Sequence, residues 1–336
     1  MRILRPFRLD SWWEHKLSPI LATAYATAAA SQIALASVWP AAVLALLALI
    51  VCATYVSVLN DLTDARDDQA TGKPDRWQGK PRTYPALILA ACLAAGGGFL
   101  FAWRSDPLLF SAYLFSWLAF GLYSLPPIRL KTRGTWGVLA DACGANLFPT
   151  LVAVLLVYRW HGTGVSGAWI LIVALWALAT GVRGILWHQM GDAANDGKIG
   201  LRTFVVRHGM KAAERLGLLA LLVECAAFAV MISLTRSGLA WLFLLLYGIF
   251  ALVRRRLLGV RVGALKPVQG SRMALSEYYI ALYPLAYLLA ASWRQPAVLL
   301  LLVGHAILFS GGGLYMAREA AVMLRMRRVV QFSRLR

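Results

Sequence analysis

The chain has 336 residues, of which 60% are hydrophobic and 15% are charged, and its formal net charge is +19. Soluble domains carry about 25% charged residues, and the mean hydropathy of this chain is +0.65. The composition therefore excludes a soluble globular protein and indicates an integral membrane protein. The four cysteines lie inside apolar runs without metal-ligand spacing, which excludes a disulfide framework and a cysteine metal centre.

Ten apolar runs are predicted as membrane spans, because each is long enough or is anchored by aromatic and basic residues at its ends. The eighth and ninth runs have only 16 residues each and are the shortest. The ten runs are 17–38, 40–59, 85–103, 107–123, 136–158, 167–187, 216–234, 238–253, 278–293 and 296–316.

Lysine and arginine are distributed very unevenly between the loops. The termini and alternate loops hold 29 of the 34 basic residues, the other loops hold 4, and Arg183 lies within the sixth run. The positive-inside rule then predicts ten spans with both termini cytoplasmic. This distribution explains the positive charge by topology and by attraction to membrane lipid, so no nucleic-acid partner is expected. The amino terminus resembles neither a cleaved signal nor a transit sequence, which favours a bacterial inner (plasma) membrane.

Acidic and basic residues are concentrated in the stretch 59–82, which follows the second run. If the preceding helix continues, Asp61, Asp64 and Asp68 stand at i, i+3 and i+7 on one face. Such carboxylates repel one another unless a cation lies between them, and they suit Mg²⁺, which usually shares its ligands with phosphate. The stretch therefore predicts a Mg²⁺ site and a phosphate-bearing substrate. Asp67 points elsewhere on the helical wheel and is assigned to a solvated face or a cap.

Basic residues follow these acids and are candidates for contact with a diphosphate. The alternative interpretation of the whole stretch is a solvated, positive-inside loop. The basic residues are Lys73, Arg76, Lys80 and Arg82.

A second acidic pair, Asp192 and Asp196, stands one helical turn apart after the sixth run. Basic residues follow this pair as well, and both acidic stretches fall on the predicted cytoplasmic side. Two such stretches predict a two-centre metal clamp on one diphosphate.

The fourth run ends in YSLPPIRLKTRG, in which Tyr123 and Lys131 are candidates for contact with the diphosphate or leaving group. The alternative is an interfacial aromatic residue followed by a positive-inside loop. Ionisable residues within the runs are costly and mark candidate sites. We expect Asp141 and Arg183 either to pair with each other or to face the site, and Glu224 to be a neutral, hydrogen-bonded acid.

The acidic stretches resemble the two motifs of the UbiA superfamily of intramembrane prenyltransferases, NDxxDxxxD and DxxxD. The stretches KPDR, YSLPPIRLK and KIGLRTF look similar to that family as well. The resemblance is strongest over residues 1–235, and residues 254–336 are divergent or extended, within a single expected membrane domain 1–336. The motif residues are Asn60, Asp61, Asp64, Asp68, Asp192 and Asp196.

The resemblance implies an all-α, polytopic transmembrane helical bundle around a central prenyl-diphosphate cavity, with nine spans typical of the family. It implies a Mg²⁺-dependent transferase that moves an isoprenyl group from a prenyl diphosphate to a lipophilic, most often aromatic, acceptor and releases diphosphate. The implied catalytic residues are Asp61, Asp64, Asp192 and Asp196. The implied metal ligands are Asp61, Asp64, Asp68, Asp192 and Asp196. The implied diphosphate contacts are Asn60, Arg66, Lys73, Arg76, Tyr123, Lys131 and Lys198.

Aromatic faces stabilise a cation at the reacting carbon, and Tyr55, Tyr123 and Trp187 are candidates for that role.

Two other reactions fit the same motifs: cyclisation of the prenyl chain by a membrane terpene cyclase, and phosphoribosyl transfer to a polyprenyl phosphate. A transporter is a further alternative. It is disfavoured because the acids cluster at one face, whereas transporters bind near the bilayer midplane.

Overall fold

The computed structural model describes residues 8–72, 76–81, 83–268 and 271–334. Within these residues the chain is almost entirely helical and forms two compact units. Unit 1 comprises Met1–Trp12 and Pro40–Met231, and unit 2 comprises Trp13–Trp39 and Ile232–Arg336. No observation tests the expectation of one domain over 1–336, and it stays a prediction.

The helices of unit 1 include two of 32 residues each, α3 and α8. A π-helical turn, Cys143–Leu147, joins α6 to α7, and a 3₁₀ turn, Leu130–Thr132, precedes α6. The helices are α1 (Leu9–Trp12), α3 (Trp39–Ala70), α4 (Thr83–Ala102), α5 (Pro107–Ser124), α6 (Thr135–Ala142), α7 (Phe148–His161), α8 (Gly167–Lys198), α9 (Phe204–His208) and the first part of α10 (Met210–Thr235).

Unit 2 contains the end of α10 and the remaining helices, with π-helical turns at Trp13–Leu17 and Tyr278–Leu282. A short parallel pair of strands, β1 (Val262–Gly263) and β2 (Arg272–Met273), lies between α11 and α12. The helices are α2 (Ser18–Ala30), α11 (Gly238–Leu258), α12 (Tyr283–Ser292), α13 (Val298–Leu308) and α14 (Ser310–Arg334).

The described residues contain seven helical segments that are long and apolar enough to cross a membrane, or eight if α13 and α14, bent by 78°, form one span. The predicted helical bundle class is confirmed. The predicted count of ten spans is not confirmed, because two of the ten runs form shorter helices: α2 has 13 residues, and the run 278–293 is divided between a π-helical turn and α12. Large apolar side chains such as Leu87, Phe101 and Leu300 are exposed, which suits helices that face lipid.

Two glycines allow α6 to pack closely against α8 and against the turn that precedes α6. A β-carbon at Gly181 of α8 would lie 2.8 Å from the Cα atom of Ala142 of α6. A β-carbon at Gly137 of α6 would lie 2.7 Å from the carbonyl oxygen of Leu130. Only glycine permits such contacts without a shift of the backbone. The turn that carries Lys131 is therefore seated directly on α6.

A buried ion pair joins α8 to α10 within unit 1. Arg183 Nε and Nη2 donate to the two carboxylate oxygens of Glu224, each at 2.6 Å, and the two residues are 2% and 0% exposed. The sequence analysis did not predict this partner for Arg183. Glu224 is hydrogen-bonded to a neighbouring helix, as expected, and its partner there is the guanidinium group of Arg183.

Candidate functional site

The first acidic stretch lies on the last turns of α3, which continues through Asp68 as its spacing predicts. A helix of 32 residues is about 48 Å long, whereas the hydrocarbon core of a bilayer is about 30 Å thick. The helix is therefore longer than the hydrocarbon core, and its polar end, which carries the acids, can extend beyond that core. The helix α8 has the same length and ends in the same way, with Asp192 and Asp196 in its last turns.

The two acidic stretches line one cavity of about 300 Å³ in unit 1. Other elements contribute to it, among them the end of α5, through Tyr123, and the turn before α6, through Lys131. Nine of the predicted site residues are brought together in this lining. They are Asn60, Asp61, Asp64, Asp68, Arg76, Tyr123, Lys131, Asp192 and Asp196.

Two predicted diphosphate contacts do not join this cavity lining, and the structure does not describe a third. Arg66 and Lys198 are exposed and lie outside it, because each points from its helix away from the face that carries the motif acids. Lys73 lies outside the described residues. Of the three candidate aromatic residues, only Tyr123 lines the cavity, whereas Tyr55 packs against Trp117 with 4.7 Å between ring centroids.

Cationic side chains face the acids of α3. Arg8 lies 3.3 Å from Asp61, and Lys131 Nζ donates to Asp64 Oδ1. Arg129 bridges two acids, at 3.2 Å from Asp64 and 2.7 Å from Asp67. These pairs lower the mutual repulsion of the carboxylates on α3.

The assignment of Asp67 to a solvated face or cap was wrong, since it lines the cavity and pairs with Arg129. On α8, the side chain of His188 lies 3.6 Å from Asp192. Asp141, one of the ionisable residues predicted within the spans, also lines the cavity.

Burial dominates the electrostatics of Lys131. It lowers the pKa of this ammonium group from 10.5 to about 8, while Asp196 raises the pKa and Arg8 lowers it. Lys131 is therefore a cation near neutral pH that loses its charge under mildly alkaline conditions.

One buried polar atom of a residue in the cavity lining, Thr203 Oγ1, has no hydrogen-bond partner among the described residues. Unpaired buried polar atoms cost free energy unless a ligand satisfies them. Thr203 precedes α9 at the N-cap position, yet its side chain caps no backbone amide. Instead, Gln189 Oε1 accepts from the Phe204 amide at 3.0 Å, so the Thr203 hydroxyl remains available to the cavity.

The donor set suits a hard divalent cation, although no three acids, histidines or cysteines among the described residues are grouped closely enough to hold one. Mg²⁺ is usually held by one or two carboxylates, with waters and phosphate oxygens completing its coordination. The carboxylates of α3 and α8 on the walls of one cavity fit that mode of binding. They do not form a closed protein cage.

Sequence reasoning missed Arg8, Arg129 and Thr203 as cavity or partner residues. Arg8 is 53 positions from Asp61, and no local pattern links them. The prolines of YSLPPIRLK marked the turn that carries Arg129, but not which acid it reaches. Thr203 stands in the stretch KIGLRTF, and its position after the second acidic pair was the only available signal.

The fold and the cavity define a polytopic helical membrane protein with an acid-lined site. The chain matches the UbiA prenyltransferase family over residues 17–264, which is most of its length, and it belongs to that family. It is accordingly an integral membrane protein. Comparison with curated proteins finds no match.

Three solved structures of a UbiA homolog from Archaeoglobus fulgidus resemble this fold, each with 17% sequence identity. The structure bound to GPP and Mg²⁺ has a TM-score of 0.55 and covers 89% of this chain and 99% of its own. The structure bound to Cd²⁺ has a TM-score of 0.53 and covers 87% and 100%. The structure bound to DMAPP and Mg²⁺ has a TM-score of 0.51 and covers 96% and 99%. At this identity the likeness concerns the fold.

Proposed function

We propose that this protein is a Mg²⁺-dependent intramembrane prenyltransferase that moves an isoprenyl group from a prenyl diphosphate to a lipophilic, aromatic acceptor and releases diphosphate. The observation that carries the proposal is the meeting of both acidic motifs with Lys131, Arg76 and Arg8 in one cavity. Family membership supports the class of reaction. The ligands of the archaeal homolog, GPP, DMAPP and Mg²⁺, support the class of donor and the metal.

The proposed metal ligands are the five motif acids. Bound there, Mg²⁺ supplies Lewis-acid stabilisation of the diphosphate charge that develops as the allylic C–O bond breaks. The position of Asp61 supports this assignment, since it is a buried carboxylate in the cavity lining. The acids are Asp61, Asp64, Asp68, Asp192 and Asp196.

The basic residues of the cavity hold the leaving group. Arg8 and Lys131 are paired with Asp61 and Asp64. If these acids held a divalent cation, the two bases would be available to donate charge-assisted hydrogen bonds to diphosphate oxygens. Arg76, which lies between α3 and α4, adds a third cation to the lining.

Neutral donors orient the same group. Ser124 Oγ donates to Asn60 Oδ1, which fixes the amide so that its NH₂ group is left to donate elsewhere. The Thr203 hydroxyl is buried in the lining without a partner among the described residues. Both are proposed donors to diphosphate, because hydrogen bonds to an anion are stronger than those to a neutral acceptor.

Attack of an aromatic ring on the prenyl carbon forms a C–C bond, and the ring then loses a proton. Asp141 is a carboxylate of the cavity lining that belongs to neither motif, and we assign it as the base that accepts this proton. Tyr123 lines the same cavity, and its ring face suits stabilisation of positive charge at the prenyl carbon.

We also propose that the protein lies in a bacterial inner membrane with its termini and its acid-lined cavity on the cytoplasmic side. The 29 to 4 distribution of basic residues supports this orientation.

The decisive experiment incubates membranes that contain the protein with Mg²⁺ and a panel of prenyl diphosphates, followed by mass spectrometry of the organic extract. A product with the mass of prenyl plus acceptor, absent in Asp64→Asn membranes of equal expression, is the expected result. A bare hydrocarbon would instead identify a terpene cyclase. Absence of any product with every chain length would contradict prenyl transfer.

A further inference from the structure

Unit 2 contains a second cavity of about 840 Å³, which is built from the ends of four helices. It is lined by residues after α2, by the junction of α10 and α11, and by the end of α12 and the residues that follow it. Ligand pockets commonly have volumes of about 300–1,000 Å³, so this cavity is large enough for an organic ligand.

Positive charge without a counter-charge distinguishes this lining. Arg236 and Arg294 both line the cavity, and the lining contains no aspartate or glutamate among the described residues. Both arginines are exposed, and neither forms an ion pair within the described part of the chain. By contrast, Arg159 of unit 1 lies 3.3 Å from Asp106. Two uncompensated guanidinium groups at one cavity attract an anion, and their planar donors suit phosphate.

The N terminus of α11 adds to this positive field. The helix has 21 residues, and its first residues, Gly238 and Leu239, line the cavity beside the N-cap Ser237. A helix N terminus carries positive partial charge that favours an anion. Arg236 has a φ of 53°, a left-handed conformation that glycine adopts at lower cost. Binding of a ligand by its guanidinium group would explain why an arginine occupies this position.

Most of the remaining lining residues are apolar, which suits a lipid better than a free anion. Ile33, Leu239 and Leu289 contribute apolar side chains, and Trp293 is 92% exposed at the cavity rim. Tryptophan and arginine at the ends of membrane helices are typical of the headgroup region of a bilayer. Phosphate alone would fill the charged part of the cavity and leave the apolar part without a partner.

Hydrogen bonds hold the walls of this cavity. Gln295 Oε1 accepts from the Ala36 amide at 2.9 Å, and Thr235 and Tyr287 share a hydrogen bond of 2.9 Å between their hydroxyl groups. Thr235 and Tyr287 are both buried. The cavity is therefore formed before any ligand binds, which reduces the entropic cost of binding.

We propose that this cavity of unit 2 binds an anionic phospholipid, with the headgroup phosphate between Arg236 and Arg294 and the acyl chains along the apolar side chains. This lipid site is distinct from the acid-lined cavity of unit 1 and does not depend on the proposed reaction. Its ligand carries a phosphate diester and at least one hydrocarbon chain.

The test measures binding of phosphatidylglycerol and phosphatidylcholine to the full-length protein in a non-ionic detergent, by native mass spectrometry and by thermal shift. We expect phosphatidylglycerol to bind at least about tenfold more tightly. Its headgroup has a net negative charge, whereas the quaternary ammonium group of phosphatidylcholine offsets the phosphate charge and is repelled by the two guanidinium groups. In Arg236→Gln/Arg294→Gln this preference should be lost. The matched control, Arg104→Gln/Arg159→Gln, removes the same charge from unit 1 and should keep it.

Three results would overturn the proposal. They are equal binding of the two lipids by the native protein, an unchanged preference in Arg236→Gln/Arg294→Gln, and displacement of phosphatidylglycerol by inorganic phosphate, which would identify a free-anion site. The melting temperature without added lipid serves as the folding control. If the double variant melts early, Arg294→Gln alone, beyond the end of α12, is used in its place with the same expected loss of preference.

Discussion

Lys131 Nζ donates to Asp64 Oδ1, so a lysine of the turn before α6 lies against the central acid of the first motif. The lysine is buried, and burial lowers its pKa to about 8. A group that we propose to bind the leaving diphosphate thus has its pKa close to physiological pH.

The Michaelis constant for prenyl diphosphate is expected to rise as pH increases through about 8, because Lys131 loses its positive charge there. Steady-state kinetics between neutral and alkaline pH measure this effect. Lys131→Arg keeps its charge over this range and should show a flatter profile. An equally steep profile in Lys131→Arg would assign the titration to another group.

The same pKa makes an opposite prediction for stability. The folded pKa is lowered from 10.5, so between about pH 8 and 10.5 the unfolded state binds more protons than the folded state. The Lys131 contribution to the free energy of unfolding therefore increases with pH across this window. Alkaline pH should therefore weaken substrate binding and, at the same time, remove the cost of burying the Lys131 charge. The Michaelis constant and the free energy of unfolding should both rise with pH.

Asp61→Asn and Asp192→Asn are each expected to lower kcat/KM by about 100-fold or more, since each removes a charged ligand from the proposed metal site. Asp67→Asn is the matched control on α3. It makes the same change of charge at a cavity acid outside the motifs, and we expect a loss within about tenfold. Activity measured across Mg²⁺ concentrations should show a higher Mg²⁺ requirement for the motif variants only. Full activity of both Asp61→Asn and Asp192→Asn would contradict the metal assignment.

Arg76→Gln is expected to raise the Michaelis constant for prenyl diphosphate by about tenfold through loss of a charge-assisted contact. Arg66→Gln is expected to leave it unchanged, because Arg66 is exposed outside the cavity lining. The two residues share one polar stretch, which makes them a matched pair. Equal effects of the two substitutions would show that the family resemblance predicts the contact better than the geometry.

Helical periodicity predicted the common face of Asp61, Asp64 and Asp68, because residues three, four and seven positions apart share one side of a helix. Charge distribution between loops predicted that the two acidic stretches lie on the same side of the membrane. Both are properties of local sequence. Together they predicted that the two acidic stretches would form one site, without knowledge of helix packing.

Contacts between distant helices were not predictable in this way. Glu224 and Arg183 are 41 positions apart, and their pairing depends on the rotation of α8 and α10 about their axes. Asp67 was assigned to solvent by the helical wheel, but the long side chain of Arg129 reaches it as well as Asp64. Apolarity likewise located the run that contains α2, but not the end of that helix at Ala30.

The buried pair of Arg183 and Glu224 is expected to be needed for stability. Arg183→Met leaves a buried carboxylate without its partner, which costs about 3–5 kcal/mol. Arg183→Met/Glu224→Leu removes both charges and should recover most of that loss. Thermal unfolding in detergent measures both variants. A double variant no more stable than Arg183→Met would show that the pair is not the source of the loss.

Thr203 provides the sharpest distinction between a binding role and a structural role. The residue is 5% exposed, and its buried hydroxyl has no partner among the described residues. Thr203→Val keeps the shape and removes the hydroxyl. Loss of a hydrogen bond to diphosphate, worth about 1.5–3 kcal/mol, should raise the Michaelis constant for prenyl diphosphate at least about tenfold. Thr203→Ser retains the donor and should bind substrate nearly as well as the native protein.

Stability should respond in the opposite direction. Since the Thr203 hydroxyl is unsatisfied in the ligand-free protein, its removal relieves a buried polar group, and Thr203→Val should melt at the same temperature as the native protein or higher. Added prenyl diphosphate should then stabilise the native protein more than the valine variant. A lowered melting temperature with unchanged substrate binding would instead make Thr203 a structural residue of the turn before α9.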